Sequence, residues 1–441
     1  MPLCRSVSFC IIIVIGSEKT TLCDVKYYGT KGGDAMNQSY EHRKAKRVVA
    51  VKDVSGAPVA NQRLQLRQTK HEFLFGCGAF DMVAYTNPRE GMDLSFLQDR
   101  VDKWLALFNY GTLPFYLGGY EPEEGKPQQD SLMNAARFLK ENKVAVKGHP
   151  LCWHTAWANW LMQYDNATIL DKILKRIDRD VKAFTGTIDM WDVINEVVIM
   201  PIFDKYDNAV TRVCKDIGRV GMIKKTFEVA RAANPDATLL LNDFNTTINY
   251  EILVDGCLQS GIPIDAIGIQ SHQHQGYWGA EKLQQVLERF ETFGKPIHFT
   301  ENTFVSGDLI PAHIVDLNDF QVPEWPSTPE GEERQANEAE EMYRILFAHP
   351  LVEAVTNWDY TDGMWLKAPS GVLHKDNTIK PVYERLMKLI KGEWWTECEV
   401  CTDENGYVEL EGFKGEYVLE RNNHSAKLRL TSGVGERNII L

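Results

Sequence analysis

Between residues 73 and 395 the chain switches repeatedly between two hydrophobic periods. Short apolar runs of strand length begin near Phe73, Thr112, Val144, Ile188, Thr238, Ala266, Pro296 and Val352. Between them apolar positions recur every three or four residues, the spacing of one buried helix face. These stretches run from Phe96 to Leu107, Leu132 to Leu139, Ile169 to Phe184 and Val213 to Ala230, then Ile252 to Leu258, Leu283 to Phe290, Glu332 to Phe347 and Val382 to Ile390. Strict alternation of this kind predicts a parallel sheet covered by helices. Eight units within about 320 residues predict a closed (β/α)8 TIM barrel, an α/β fold. An open doubly wound sheet is the alternative. It normally carries a glycine-rich phosphate turn after its first strand, and Gly76 and Gly78 lack the third glycine of that pattern.

The flanks follow a different pattern. Residues 41–72 alternate through Val49 and Val51, turn at Asp53 to Pro58, and resume at Leu64 and Leu66. Residues 396–441 alternate through Val408 and Leu410, turn at Gly412 and Gly415, and continue through Tyr417 and Leu428. Each flank reads as strands and turns, and neither alone buries much surface. The two are expected to combine as one small β-sandwich accessory domain, leaving 73–395 as the barrel and 1–40 as a leader or unassigned segment. Within the first 16 residues, Arg5 precedes an apolar stretch from Val7 to Ile15 and then Gly16. That arrangement suits a secretory leader and an extracellular protein; a frayed or misassigned start is the alternative.

Composition narrows the classes further. The 441 residues are 44% hydrophobic and 25% charged, enough apolar material for a full core. The net charge of −13 makes a nucleic-acid partner a poor fit. No apolar run reaches the roughly 18 residues of a membrane span. The nine cysteines are odd in number and irregularly spaced, so most read as small buried hydrophobes. Cys398 and Cys401 form a C-x-x-C with neither a second pair nor a βαβ context. The acidic run from Glu330 to Glu341 opens the seventh helix and reads as a solvated face. No cofactor or metal is called for, and a monomer is expected.

In a barrel of this type chemistry gathers where the strands end. His149, Trp153 and His154 follow the third strand, Asn195 and Glu196 the fourth, and Asn242, Asp243 and Asn245 the fifth. Gln270, His272 and His274 follow the sixth, Glu301 the seventh, and Trp358 and Trp365 the eighth. A single Glu at a strand end is more often a cap or an ion-pair partner. Glu196 and Glu301, on strands from opposite sides of the ring, point instead to glycosidic bond cleavage. That reaction needs one carboxylic acid to protonate the leaving oxygen and one carboxylate to attack or to activate water. Indole faces suit the apolar faces of sugar rings, and amides and imidazoles can pair with hydroxyls that would otherwise lose hydrogen bonds on burial.

These strand ends, in this order, resemble glycoside hydrolase family 10, whose typical members are retaining endo-β-1,4-xylanases. The resemblance rests on 148–154, 191–196, 241–245, 268–272, 299–301 and 358–365. It implies that Glu196 is the general acid/base and Glu301 the nucleophile, with Asn195 bonding the 2-hydroxyl and His272 holding the nucleophile. It further implies that His149, Trp153, Gln270 and Trp365 line the subsite of the sugar being cleaved, with Asn242 and Trp358 also facing substrate. The substrate expected is a β-linked plant cell-wall polysaccharide such as xylan. Double displacement requires Glu196 to start protonated, which the Glu301 charge favours, and carboxyl oxygens about 5–5.5 Å apart.

Two departures from the family pattern stand out. The Glu-Asn pair and Lys that bind the next sugar are missing after the second strand, where Phe115, Tyr116 and Tyr120 offer either an aromatic wall or packing for the barrel. Thr303 stands where an acidic residue usually orients the histidine, so His272 is expected to be held less firmly. Two rivals are a metal-dependent hydrolase, suggested by the spacing of His272 and His274 beside His149 and His154, and a non-catalytic carbohydrate-binding barrel.

Overall fold

The computed structural model describes residues 39–433 and 438–441; the leader expected within residues 1–16 lies outside the described residues. Two strands, β1 (Lys44–Lys52) and β2 (Arg63–His71), precede the barrel. The barrel strands are β3 (Leu74–Gly78), β4 (Tyr110–Pro114), β5 (Ala145–His149) and β6 (Met190–Asn195), then β7 (Thr238–Asp243), β8 (Ala266–Gln273), β9 (Ile297–Phe304) and β10 (Val352–Asn357). They are parallel and in chain order, and the ring closes where Ala354 of β10 pairs with Leu74 of β3.

Burial on both faces explains why these strands read as nearly continuous apolar runs: every residue of β9 is buried. Outside the ring, amphipathic helices such as Asn166–Phe184 and Pro329–Ala348 lay one face on the strands. Asp165 and Thr328 cap these two helices, accepting from Thr168 N and Gly331 N. Close approach is decisive at Gly148, where any Cβ would fall about 2.1 Å from the Trp191 indole. The glycine before His149 therefore lets β5 and β6 converge at the site.

The two chain ends interleave. One sheet has the order β12 (Tyr407–Phe413), β1, β15 (Asn438–Ile440). The other has the order β11 (Glu397–Cys401), β2, β13 (Gly415–Arg421), β14 (His424–Leu430). Each N-terminal strand thus lies between C-terminal ones, and their shared core includes Val49, Leu66, Leu410, Tyr417 and Leu419. Neither end could bury that surface alone. Cys398 and Cys401 both lie on β11, and their odd separation directs them to opposite faces. Cys77, Cys152, Cys214 and Cys257 are buried. The acidic stretch of the seventh helix is partly paired: Glu333 and Glu340 meet Arg385, and Glu340 also meets Arg344.

The sandwich docks on the barrel where strands begin. Arg43, just before β1, donates to the carbonyls of Phe347, His349 and Val352 at 2.6–2.8 Å, in the loop entering β10. Its guanidinium also lies over the rings of Phe73 and Phe347. Strand beginnings form the face opposite the strand-end residues described above, so the sandwich braces the barrel from below. Replacement of Arg43 by Ala leaves three buried carbonyls without a charged donor. It should lower unfolding stability by about 2–3 kcal/mol in chemical denaturation while leaving the strand-end face of the barrel intact.

Candidate active site

At the strand ends a chain of amides joins two carboxylates. Gln270 Nε2 donates to Glu196 Oε1 at 3.1 Å and to Asn195 Oδ1 at 3.0 Å. Asn242 Nδ2 donates to the same Asn195 oxygen at 2.8 Å and to Glu301 Oε1 at 2.9 Å. Trp153 Nε1 donates to the other Glu196 oxygen at 2.9 Å. Five strands or strand-end loops, β5 to β9, thereby converge on one place.

The residue that ends β6 is conformationally unusual. Glu196 has φ of +57°, a left-handed conformation that costs a non-glycine residue about 1–2 kcal/mol. Its neighbours hold it there: Glu196 N donates to Asn242 O, and Val198 N donates to the buried Asp243 carboxylate, both at 2.9 Å. Burial pushes the Asp243 carboxyl up to about 6, against the backbone donors that favour its charge.

The two glutamates differ in protonation. Protein atoms crowding the Glu196 carboxyl push it up to about 8; the nearby Glu301 charge is the second cause, and the Trp153 and Gln270 donors oppose both. Burial therefore outweighs the neighbouring charge as the cause of the raised Glu196 carboxyl. Glu301 is held below the ordinary range. Burial pushes its carboxyl upward, but His149, His272 and Lys147 together outweigh that effect. One carboxyl is therefore an acid and the other a carboxylate at neutral pH.

Below them lies a buried row in which Lys147 and Asp192 join His149. Lys147 and His149, two apart on β5, point to the same side, and both meet Asp192 Oδ2 at 2.7 Å. Asp192 is ionised and accepts from His149 Nδ1, which turns Nε2 toward Glu301 Oε1 at 3.8 Å. A lysine inside the apolar run from Val144 to Gly148 was the available signal: buried charge requires a partner.

The remaining site residues form the walls. Trp358 meets His149 edge to face at 5.2 Å between ring centroids, and Trp365 lies 4.6 Å from His272. His272 Nε2 approaches Glu301 Oε2 at 3.1 Å. On its other side, His272 Nδ1 and His274 Nδ1 each lie 3.3 Å from the Thr303 hydroxyl. Burial pushes His274 down to about 3, so it is neutral, and a single hydroxyl bridges the two imidazoles. Asp359 accepts from Ser370 and from Trp365 N, and burial raises its carboxyl to about 6.

The three aromatics after β4 separate. Phe115 packs on Phe184 and Trp191, and Tyr120 donates its hydroxyl to Asp180, so both belong to the barrel packing. Tyr116 faces the bowl, 5.7 Å from both the His149 and the Trp153 rings. Burial first, then the charges of Glu301 and Glu196, raises its phenol far above the ordinary value. His154 meets Phe203 edge to face at 4.7 Å and makes no hydrogen bond to either carboxyl among the described residues. Among the described residues, no three His, Cys, Asp or Glu side chains are grouped so as to hold a metal ion, and no helix is long and apolar enough to cross a membrane.

Comparison with known proteins adds to this geometry. The model of glycosyl hydrolase family 10 matches residues 118–389, more than half of the chain and starting just after Tyr116. The anti-sigma-I factor RsgI6 of Acetivibrio thermocellus is 24% identical over 90% of this chain and 48% of its own length. An endo-1,4-beta-xylanase/feruloyl esterase of Xylanibacter ruminicola is 25% identical over 62% of this chain and 40% of its own. The chain thus spans about half or less of these relatives. The fold is shared with xylanase 10B of Thermotoga petrophila, solved in complex with xylobiose, at a TM-score of 0.59 and 21% identity over 73% of this chain and 95% of that one.

The raised Glu196 carboxyl has a consequence for stability. Between its ordinary value of 4.5 and about 8, the folded chain keeps a proton that the unfolded chain has released. Stability from this group is therefore lost as pH rises through that window. Thermal melts of Glu196→Gln, which cannot titrate, should show a shallower fall in Tm from pH 5 to pH 8 than the unaltered protein. Parallel slopes would contradict the assignment.

Proposed function

The chain belongs to glycosyl hydrolase family 10, and from that premise we propose that it hydrolyses β-1,4-linked xylan-type saccharides by double displacement with retention of configuration. The observation that carries this reading is the split between two linked carboxyls, Glu196 raised to about 8 and Glu301 lowered. The names of the relatives, xylanases among them, and the xylobiose bound by a protein of the same fold support the choice of sugar.

In the proposed reaction Glu301 attacks the anomeric carbon and forms a glycosyl ester. Glu196 gives its proton to the departing oxygen. Ester formation removes the Glu301 charge, so the Glu196 pKa falls, and the carboxylate can then accept a proton from the attacking water. This sequence requires the carboxyl oxygens to stand about 5–5.5 Å apart. His149, fixed through Asp192, and His272 keep Glu301 ionised and aimed. The Asn195 amide serves the 2-hydroxyl, and Gln270, Asn242, Trp153, Trp358 and Trp365 surround the sugar. Tyr116 supplies an aromatic wall in place of the polar residues that usually follow the second strand, which alters preference beyond the cleaved sugar. No step calls for a cofactor. The non-catalytic alternative gains no support, because both carboxylates and the groups that tune them are present.

Four measurements test the reading. Glu196→Ala should reduce kcat on unactivated xylo-oligosaccharides by about 10²–10⁴-fold, the usual contribution of a general acid. Glu301→Ala should abolish turnover of both oligosaccharides and aryl glycosides. The alkaline limb of kcat/KM should fall near pH 8, where the acid loses its proton. Proton NMR during hydrolysis should show the β-anomer forming first. Initial release of the α-anomer, or wild-type activity in Glu301→Ala, would overturn the proposal.

A further inference from the structure

The loop between β9 and the following helix, residues 305–328, has a small apolar core of its own. Val305, Ile310, Trp325 and Ala368 are buried in it, with Leu317 and Phe320 packed against them. It does not lie flat beside β9. Ile310 N donates to His274 O at 2.9 Å, and Gln275 Nε2 donates to the carbonyls of Pro311 and Ile314, so the loop rests on the end of β8.

Beyond β8 the loop meets the loop of β6. Lys205 Nζ lies 2.5 Å from Asp316 and 2.7 Å from Asp319. In the ring, β6 and β9 are separated by β7 and β8. The Lys205 contact therefore crosses the rim above β7 and β8, opposite the Tyr116 wall of β4. Asn318, between the two aspartates, accepts from Trp365 Nε1 at 3.3 Å, and the Trp365 ring covers His272. Tyr206, next to Lys205, is raised by burial first and then by the charges of Glu196 and Asp316. The loop thus reaches the site through Trp365, whose ring lies against His272 beside Glu301.

We propose that the ion pairs of Lys205 with Asp316 and Asp319 turn the 305–328 loop into a strap that favours oligosaccharides and chain ends over the interior of a long polysaccharide. The proposal rests on the hydrolase reading above and specifies which part of a saccharide that site reaches most readily. An internal segment has no free end and can enter only sideways from above, which the strap hinders; a chain end meets less obstruction. The three charged groups are partly solvent-exposed, at 39%, 32% and 64%. Pairs of that exposure are weak, so the strap biases access without sealing the site.

The test compares the unaltered protein with Lys205→Ala and with the charge-conserving Lys205→Arg. Two substrates are used, xylotetraose and a soluble long-chain xylan, the latter followed by viscosity and by reducing ends released. The unaltered protein should release reducing ends with little early loss of viscosity. Lys205→Ala should raise the kcat/KM ratio of polymer to xylotetraose by about two- to fivefold, the population shift expected from losing exposed ion pairs. Lys205→Arg should restore the ratio. Hydrolysis with an unchanged ratio in Lys205→Ala, or rapid early viscosity loss by the unaltered protein, overturns the strap and leaves the hydrolase reading standing. Absence of hydrolysis of both substrates by the unaltered protein overturns the hydrolase reading and the strap with it.

Discussion

Two carboxyl groups placed close together and away from water repel each other, and each alone resists ionisation. The site resolves this by giving them unequal surroundings. Glu301 has two imidazoles and the Lys147 charge within reach, whereas Glu196 has an indole, amides and a carboxylate for neighbours. One proton then settles on Glu196, and the amides of Asn195, Asn242 and Gln270 fix the distance across which the pair interacts. The positive φ at Glu196 belongs to the same arrangement. The strain holds a side chain at a place where an ordinary continuation of β6 would carry it elsewhere, and the surrounding hydrogen bonds over-determine it.

This arrangement needs a rigid base, and the fold supplies it in layers. Apolar strands set the ring, Gly148 lets Trp191 close the gap beneath His149, and Asp192 joins Lys147 to His149 inside the ring. The interleaved chain ends hold the opposite face through Arg43. Stability and chemistry thus occupy different ends of the same strands, so the rim can vary while the base stays fixed.

Continuous apolar runs and the 3.6-residue period were sufficient to read the eight units from the sequence, because a strand buried on both sides and a helix buried on one leave distinct patterns. The strand-end position of Glu196, Glu301, Asn195, His272 and their neighbours followed from the same reading. What stayed hidden depends on pairing in space. Lys147 sits within an apolar run, and nothing local announces Asp192 as its counter-charge. Asp359 and Asp243 are likewise ordinary acids until burial raises them. Phe115 and Tyr116 could have been told apart, since successive residues at a strand end face opposite ways. The contact of Lys205 with Asp316 and Asp319 joins positions more than a hundred apart and carries no sequence signature.

Three features border the site from different sides. Tyr116 lines one side of the bowl, the 305–328 loop rests on the end of β8 on the other, and Thr303 supports His272. Where a carboxylate would place a fixed negative charge, the Thr303 hydroxyl can accept from one imidazole while donating to the other. His272 then keeps a partner on its far side in either tautomer, and no further anion is added beside Glu301. That matters in a site already holding Glu196, Asp192 and Asp359, where every extra negative charge would work against ionisation of Glu301. The carboxyl pair at the floor of the bowl and the loops above it are therefore held by separate sets of contacts.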